Sequence, residues 1–199
     1  MNNADVALAE HISGSEESFV KMMNEKAKSL DMKNTNFVNS TGLPHKDHYV
    51  SAHDVALMSK ELLKHKKIHD WLTVYMDEMK VGKKKDKIAS LVNTNSLIKD
   101  YQGTTGIKTG STNEAGFCLS ASAKRGNLQL IAVVLGSETS KIRFEESMKL
   151  LDYGFANYDS IPVGRKGDVF GKVPVHKGNM EYIEAALERD SYILLPKGK

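Results

Sequence analysis

The chain has 199 residues, 40% of them hydrophobic, which suffices for one medium core with or without a smaller appended unit. Its 28 basic and 25 acidic residues leave a formal charge of +3, without the concentrated basic excess of a nucleic-acid binder. No apolar run approaches the roughly 20 residues that cross a bilayer, and the first residues carry no charged-then-apolar leader, so the chain as it stands is expected to be soluble and without a membrane segment.

Ala4 to Ile12 places Val6, Ala7, Leu8 and Ile12 at helical spacing. Ser13-Gly14-Ser15 ends that helix, and Ser13 with Glu16 predicts a capping box for the next one. Phe19, Met22, Met23, Ala27 and Leu30 then follow the three-and-four rhythm of a helix with one buried face. A short apolar segment, Phe37-Val38, leads into a turn-rich run from Ser40 to Tyr49. Ser51 with Asp54 opens a third helix whose Val55, Met58 and Leu62 are expected to face inward. Ile68 to Val74 reads as a short helix. Tyr75 to Met79 and Ile88 to Val92 form a hairpin whose tip, Lys83-Lys84-Lys85, is a solvated turn.

Two β-patterned runs, Phe117 to Lys124 and Leu128 to Gly136, are separated by Arg125-Gly126-Asn127, which predicts a tight hairpin. Cys118, the only cysteine, falls inside the first run and is expected to be a small buried packing residue; no intrachain disulfide is available. From Ser140 the pattern returns to helix, with Phe144, Met148, Leu151 and Phe155 on one face. Helices, then strands, then a closing helix predict an α+β domain with helices packed on an antiparallel sheet. Near Tyr158 the character changes to Ser160-Ile161-Pro162-Val163-Gly164, read as a boundary between a main domain, 1–158, and a short β-rich unit, 159–199. That unit, with strand-like pieces at Val169 to Val175 and Tyr192 to Leu195, looks too small for an independent core.

Lys108-Thr109-Gly110 follows Gly106-Ile107 and precedes the hairpin, so it belongs on a strand of that antiparallel sheet. At a cleft wall Lys108 supplies positive charge, Thr109 a hydroxyl, and Gly110 a gap where an extended ligand approaches the backbone; a peptide carboxylate needs all three. His65 and His69 have the spacing of two metal ligands on a helix, but no Glu adjoins His65 as a zinc protease requires, and neither a metal nor a cofactor is expected.

Nearly the whole chain resembles the low-molecular-mass penicillin-binding proteins, the serine-type D-alanyl-D-alanine carboxypeptidases. The segments that carry the resemblance are Val6-Ala7-Leu8-Ala9-Glu10, Thr41-Gly42-Leu43 with His48-Tyr49 and Ser51-Ala52, Asn93-Thr94-Asn95, Gly106-Ile107-Lys108-Thr109-Gly110, and Arg143-Phe144 leading to Lys149-Leu150-Leu151. The resemblance implies a transpeptidase-like fold lacking its N-terminal part, followed by the start of a β-rich domain. It also implies acyl transfer from peptidoglycan stem peptides through a serine acyl-enzyme, sensitivity to β-lactams, and an extracytoplasmic setting at the cell envelope. By the same resemblance Lys108 is the catalytic cation, Thr109 binds the terminal carboxylate, Gly110 keeps the strand edge clear, and the backbone N–H of Ser111 forms half an oxyanion hole. Arg143 grips the same carboxylate; the competing reading is a helix-surface arginine paired with Glu145 or Glu146. Asn2, with Asn3 as the competing choice, aligns with the Asn of the family's Ser-x-Asn element and by that resemblance orients the substrate amide.

The family's nucleophilic Ser-x-x-Lys lies upstream of the segment with which this chain begins. Ser18-Phe19-Val20-Lys21 has the letters but falls within an amphipathic helix, where it is expected to be ordinary surface. The chain therefore reads as a piece lacking both ends of the parent, without turnover alone, and with apolar surface that favours self-association. The family's frequent Asp before the Gly of the Lys-Thr-Gly lead-in is Thr105 here. A serine β-lactamase-like hydrolase, or a non-catalytic module binding cell-wall peptide, are the alternatives.

Overall fold

Two helices open the chain, α1 over Asn2–Ser13 and α2 over Glu16–Ser29. The break between them is set by Gly14, whose φ of +83° is left-handed backbone that favours glycine. The computed structural model describes residues 2–82 and 86–198, except the side chains of Asn2 and Asn3, so the Lys83-Lys84-Lys85 tip lies outside the described residues. The capping box expected from Ser13 and Glu16 does not form. Gly14 reverses the chain, so the extended cap residue is Ser15, whose hydroxyl accepts from the Ser18 N–H at 3.1 Å. The Ser13 hydroxyl donates back to the Ala9 carbonyl, and Glu16 accepts from both the N–H and the hydroxyl of Ser40, at 3.0 and 2.7 Å.

A two-residue pair, β1 (Thr35–Asn36) with β2 (Tyr49–Val50), leads into α3, Ala52–Leu62, capped by the Ser51 hydroxyl. The inward residues of α3 are Asp54 and Ser59, while Met58, expected inward, is 40% exposed beside a cavity. Asp54 can be buried because it accepts from the Asn34 N–H and the Thr35 hydroxyl, both at 2.7 Å. After a 3-10 turn, Lys66–Ile68, come α4 (His69–Leu72), the hairpin β3 (Met76–Val81) and β4 (Lys87–Val92), and α5 (Leu97–Asp100).

The central sheet has β5 (Thr104–Thr112), β6 (Gly116–Arg125) and β7 (Leu128–Ser137) in that order, so β5 is an edge strand among the described residues. β6 is buried on both faces from Leu119 to Ala123. On one face Ser120 shares a 2.7 Å hydroxyl bond with Ser59 of α3. Cys118 departs from its expectation: it is half-buried, with its thiol near the Ala115 carbonyl and facing a cavity bordered by the Leu43 to Tyr49 run. Cover of β6 begins only one residue later.

The closing helix α6, Ser140–Asn157, buries Arg143, Ser147, Leu151 and Phe155, a stripe rotated by one position from the predicted Phe144 and Met148. Of the two polar members Ser147 is satisfied within the helix, and Arg143 is held through Nη1 while its Nε has no hydrogen-bond partner among the described residues. The Ser147 hydroxyl donates to the Arg143 carbonyl at 2.7 Å, and the Arg143 guanidinium lies over the rings of Phe144 and Phe117.

The chain divides into two compact units, Met1–Lys124 with Gln129–Leu151 and Arg125–Leu128 with Asp152–Lys199. Within the second, β8 (Tyr158–Gly164) pairs antiparallel with β11 (Ser191–Pro196), and β9 (Val169–Pro174) with β10 (Tyr182–Ala186). The Ser160 to Gly164 run, expected as a boundary, is thus a strand. Pro162 is tolerated because a two-stranded ribbon leaves one edge of each strand free of ladder bonds.

Candidate active site

Strand pleating separates the side chains of the Lys-Thr-Gly run. Lys108 and Gly110, with their register partners Ser120 and Cys118, share one face of the sheet; Thr109 and Ser111, paired with Leu119 and Phe117, share the other. Lys108 is exposed, and its ammonium donates to the Thr109 carbonyl at 2.5 Å. It lines a cavity of about 490 Å3 whose apolar wall includes Met23, Leu30, Met32, Phe37 and Met58, and whose polar rim is Asn39, Ser40 and Thr41. No carboxylate lines this cavity among the described residues. The other lining cation, Lys26, is paired with Glu61 at 3.2 Å, so Lys108 carries the positive charge available to an anionic ligand.

Gly110 faces open space: a Cβ built there would meet no atom within 4 Å. Packing within the fold therefore does not require glycine at this position. Ser111 is exposed on the same strand. Thr109 is 7% exposed, and its hydroxyl lies 2.6 Å from that of Thr94.

The structure does not place Arg143 on a helix surface. It is 6% exposed, and Nη1 donates to the carbonyls of Gly110 and Cys118 at 3.2 and 3.3 Å. Glu145 and Glu146 instead pair with Lys141 and Lys149. Burial pushes the Arg143 guanidinium below its ordinary value, but it remains a cation at any pH a folded protein meets. Arg143 thus ties the glycine end of the tripeptide to β6 and sets a positive charge behind it. Asn2 opens α1, and its side chain lies outside the described residues.

Ser18 and Lys21 lie in α2, and neither lines the cavity that Lys108 lines. Ser18 is occupied at the helix start, its hydroxyl 2.9 Å from that of Ser15. His69 places Nε2 2.9 Å from the Leu63 carbonyl, and among the described residues no group of three His, Cys, Asp or Glu side chains gathers to hold a metal ion.

Two features of the site escaped the sequence reading. The rim loop is organised by Asn39, whose Oδ1 accepts from the Thr41 hydroxyl and from the N–H groups of Gly42 and Leu43, with Gly42 at a φ of +74°. An Asn two residues before Thr-Gly was the available signal. His48 lines this cavity and a second one of about 500 Å3, its ring edge-on to Phe37; burial, then the neighbouring His45, hold its pKa below the ordinary histidine range.

The D-alanyl-D-alanine carboxypeptidase family, peptidase S11, matches residues 1–139. Over 198 residues the chain is 48% identical to the D-alanyl-D-alanine carboxypeptidase DacF of Bacillus subtilis, covering all of this chain and 50% of that protein. Penicillin-binding protein 5 of Haemophilus influenzae superposes with a TM-score of 0.81 at 35% identity, covering 100% of this chain and 56% of that one. Penicillin-binding protein D2 of Listeria monocytogenes, in its cefotaxime-bound form, gives 0.68 at 34% identity over 77% of this chain and 61% of its own. The chain spans about half the length of the curated relatives it matches. With a helix-covered antiparallel sheet and an open Lys-Thr-Gly edge, it belongs to the D-alanyl-D-alanine carboxypeptidase family.

Proposed function

We propose that this chain supplies the carboxylate-binding wall of a serine-type, penicillin-sensitive carboxypeptidase that removes the terminal D-Ala from peptidoglycan stem peptides outside the cytoplasm. The observation that carries the reading is the free edge of β5, where exposed Lys108 borders a cavity with no lining carboxylate and Gly110 leaves the strand unobstructed. An extended peptide adds to such an edge as a further strand. The serine that attacks the scissile carbonyl is expected from a Ser-x-x-Lys outside these residues. In the reaction the serine hydroxyl loses its proton, the acyl-enzyme forms, D-Ala leaves with a proton on its amine, and water then releases the shortened peptide.

In this scheme Lys108 favours the anionic substrate and assists proton transfer, while Thr109 donates to the terminal carboxylate. The Ser111 N–H stabilises the developing oxyanion together with the nucleophile's own N–H, and Asn2 orients the substrate amide. Arg143, engaged with two backbone carbonyls, acts on the carboxylate through its field and by holding the strand. The division into a catalytic domain through residue 158 and a β-rich domain from 159 belongs to the same proposal. So does self-association of the isolated chain, for which the motive is the exposed apolar set that includes Leu8, Ile12, Trp71 and Ile88. No helix of the described residues is long and apolar enough to cross a membrane.

Fluorescent penicillin provides the test. The full-length protein is expected to be labelled covalently and the 199-residue chain to remain unlabelled. Labelling of the short chain would relocate the nucleophile to within it, and failure of the full-length protein to label would overturn the assignment.

A further inference from the structure

Thr109 has one hydroxyl proton and two claimants on it. If the hydroxyl grips a ligand carboxylate, its proton must point at the ligand, and any other hydrogen bond it makes must be one it accepts. The side-chain hydrogen bond it makes among the described residues is with the Thr94 hydroxyl, 2.6 Å away, a pair in which either oxygen is able to donate. A carboxylate arriving at Thr109 fixes that choice, because two donors cannot share one line and the anion accepts only. The Thr94 hydroxyl must then donate to Thr109.

The loop bearing Thr94 is built to hold it there. Asn93 ties the loop to the segment between α4 and β3 at two points: its N–H donates to the Tyr75 carbonyl at 2.8 Å and its side-chain amide to the Val74 carbonyl at 3.0 Å. Asn93 Oδ1 accepts from the Asn95 N–H at 3.0 Å, and Asn95 Oδ1 in turn accepts from the Leu97 N–H at the start of α5. Asn95 is 2% exposed. Thr94 thus stands between Asn93, whose side chain is bonded at both ends to the backbone, and Asn95, whose Oδ1 is bonded and whose buried Nδ2 has no partner among the described residues. The Thr94 hydroxyl is the one turned to β5.

We propose that Thr94 is a positioning residue: it donates its hydroxyl proton to Thr109 and so leaves the Thr109 proton aimed at the carboxylate of the substrate or of a β-lactam. This rests on the carboxypeptidase reading above. A hydrogen bond of this kind is worth about 1 kcal/mol, or roughly fivefold in a rate or binding constant. The expected effect is selective, because only ligands that present a free carboxylate call on the Thr109 proton.

The test compares acylation of the full-length protein by benzylpenicillin and by its methyl ester. Thr94→Val, close in shape but without the hydroxyl, should lower the acylation rate constant for the free acid about fivefold. It should leave the ester within about twofold, and Thr94→Ser should restore the acid. An equal loss with both compounds would show a structural role for the loop, and no loss with either would show that Thr109 orients itself; each overturns the proposal. Absence of acylation in the unmodified protein would instead bring down the carboxypeptidase reading, so the two failures are distinguishable.

Discussion

β6 and β9 are built from similar residues and have opposite fates. Both mix small and apolar residues, yet Leu119 to Ala123 of β6 are all buried while every residue of β9 is exposed, Phe170 to 65%. Cover distinguishes them. β6 receives the Ser59 hydroxyl on one face and the Arg143 guanidinium at its Cys118 carbonyl, whereas β9 is held in the described structure by its ladder with β10. The candidate site sits on the neighbour of the covered strand. A ligand-binding edge has to hold its geometry when the ligand arrives, and β5 takes that rigidity from β6 through eight paired residues, Thr104 to Thr112.

The largest expected effect lies at the site itself. Lys108→Met in the full-length protein should reduce acylation by benzylpenicillin about 10²- to 10⁴-fold, the range for losing a proton-transfer group. Because Lys108 is exposed, the thermal midpoint should barely move. A comparable loss of fold stability would mean that Lys108 belongs to the platform rather than to the chemistry.

The next substitutions break the comparison directly. Leu119→Ala removes a fully buried side chain from the doubly covered strand and should cost about 3 kcal/mol in chemical denaturation. Phe170→Ala, on the uncovered strand, should stay within about 0.5 kcal/mol. Equal costs would show that β9 is covered in solution by something the described residues do not include.

Arg143→Met tests how the platform reaches the site. It deprives the carbonyls of Gly110 and Cys118 of a charged donor, worth about 2 kcal/mol. Amide hydrogen exchange should accelerate in β5 around Gly110 more than in β7. Uniform acceleration would assign Arg143 to α6 packing alone.

Much of this platform was legible in the sequence, and the misses have physical causes. The hairpin at Arg125-Gly126-Asn127, the helix caps at Ser51 and the closing helix all follow from local turn chemistry and periodicity. The rotated face of α6 does not, because hydrophobic periodicity counts Arg143 and Ser147 as outward residues. The tertiary partners Gly110, Cys118 and the ring of Phe117 hold Arg143 inside, while Ser147 is satisfied within the helix by the Arg143 carbonyl. Met58 erred in the opposite direction: an apolar residue at an inward position of α3 borders a cavity, which periodicity cannot foresee. In the site, Lys108, Thr109 and Gly110 were readable as a motif. Thr94 carries no role in the sequence alone, since its meaning depends on an oxygen fifteen residues away.

The smallest effect concerns the helices over the cavity rather than the sheet. Glu61 accepts from Lys64 at 2.7 Å and from Lys26, itself a cavity-lining residue, at 3.2 Å. These bonds, Lys64 first, lower its pKa from an ordinary 4.5 to about 2. A depressed carboxylate pKa means that the unfolded chain takes up the proton first as the pH falls. The stability it contributes is therefore fully present above about pH 4.5 and is lost as the pH drops toward 2. Glu61→Gln should leave stability nearly unchanged in its pH dependence near neutrality and flatten the acid limb between those values. Because the group lies at the surface, added salt should shrink the difference between variant and parent. A salt-independent difference would place the Lys26–Glu61 tie among the buried contacts of the cavity wall instead.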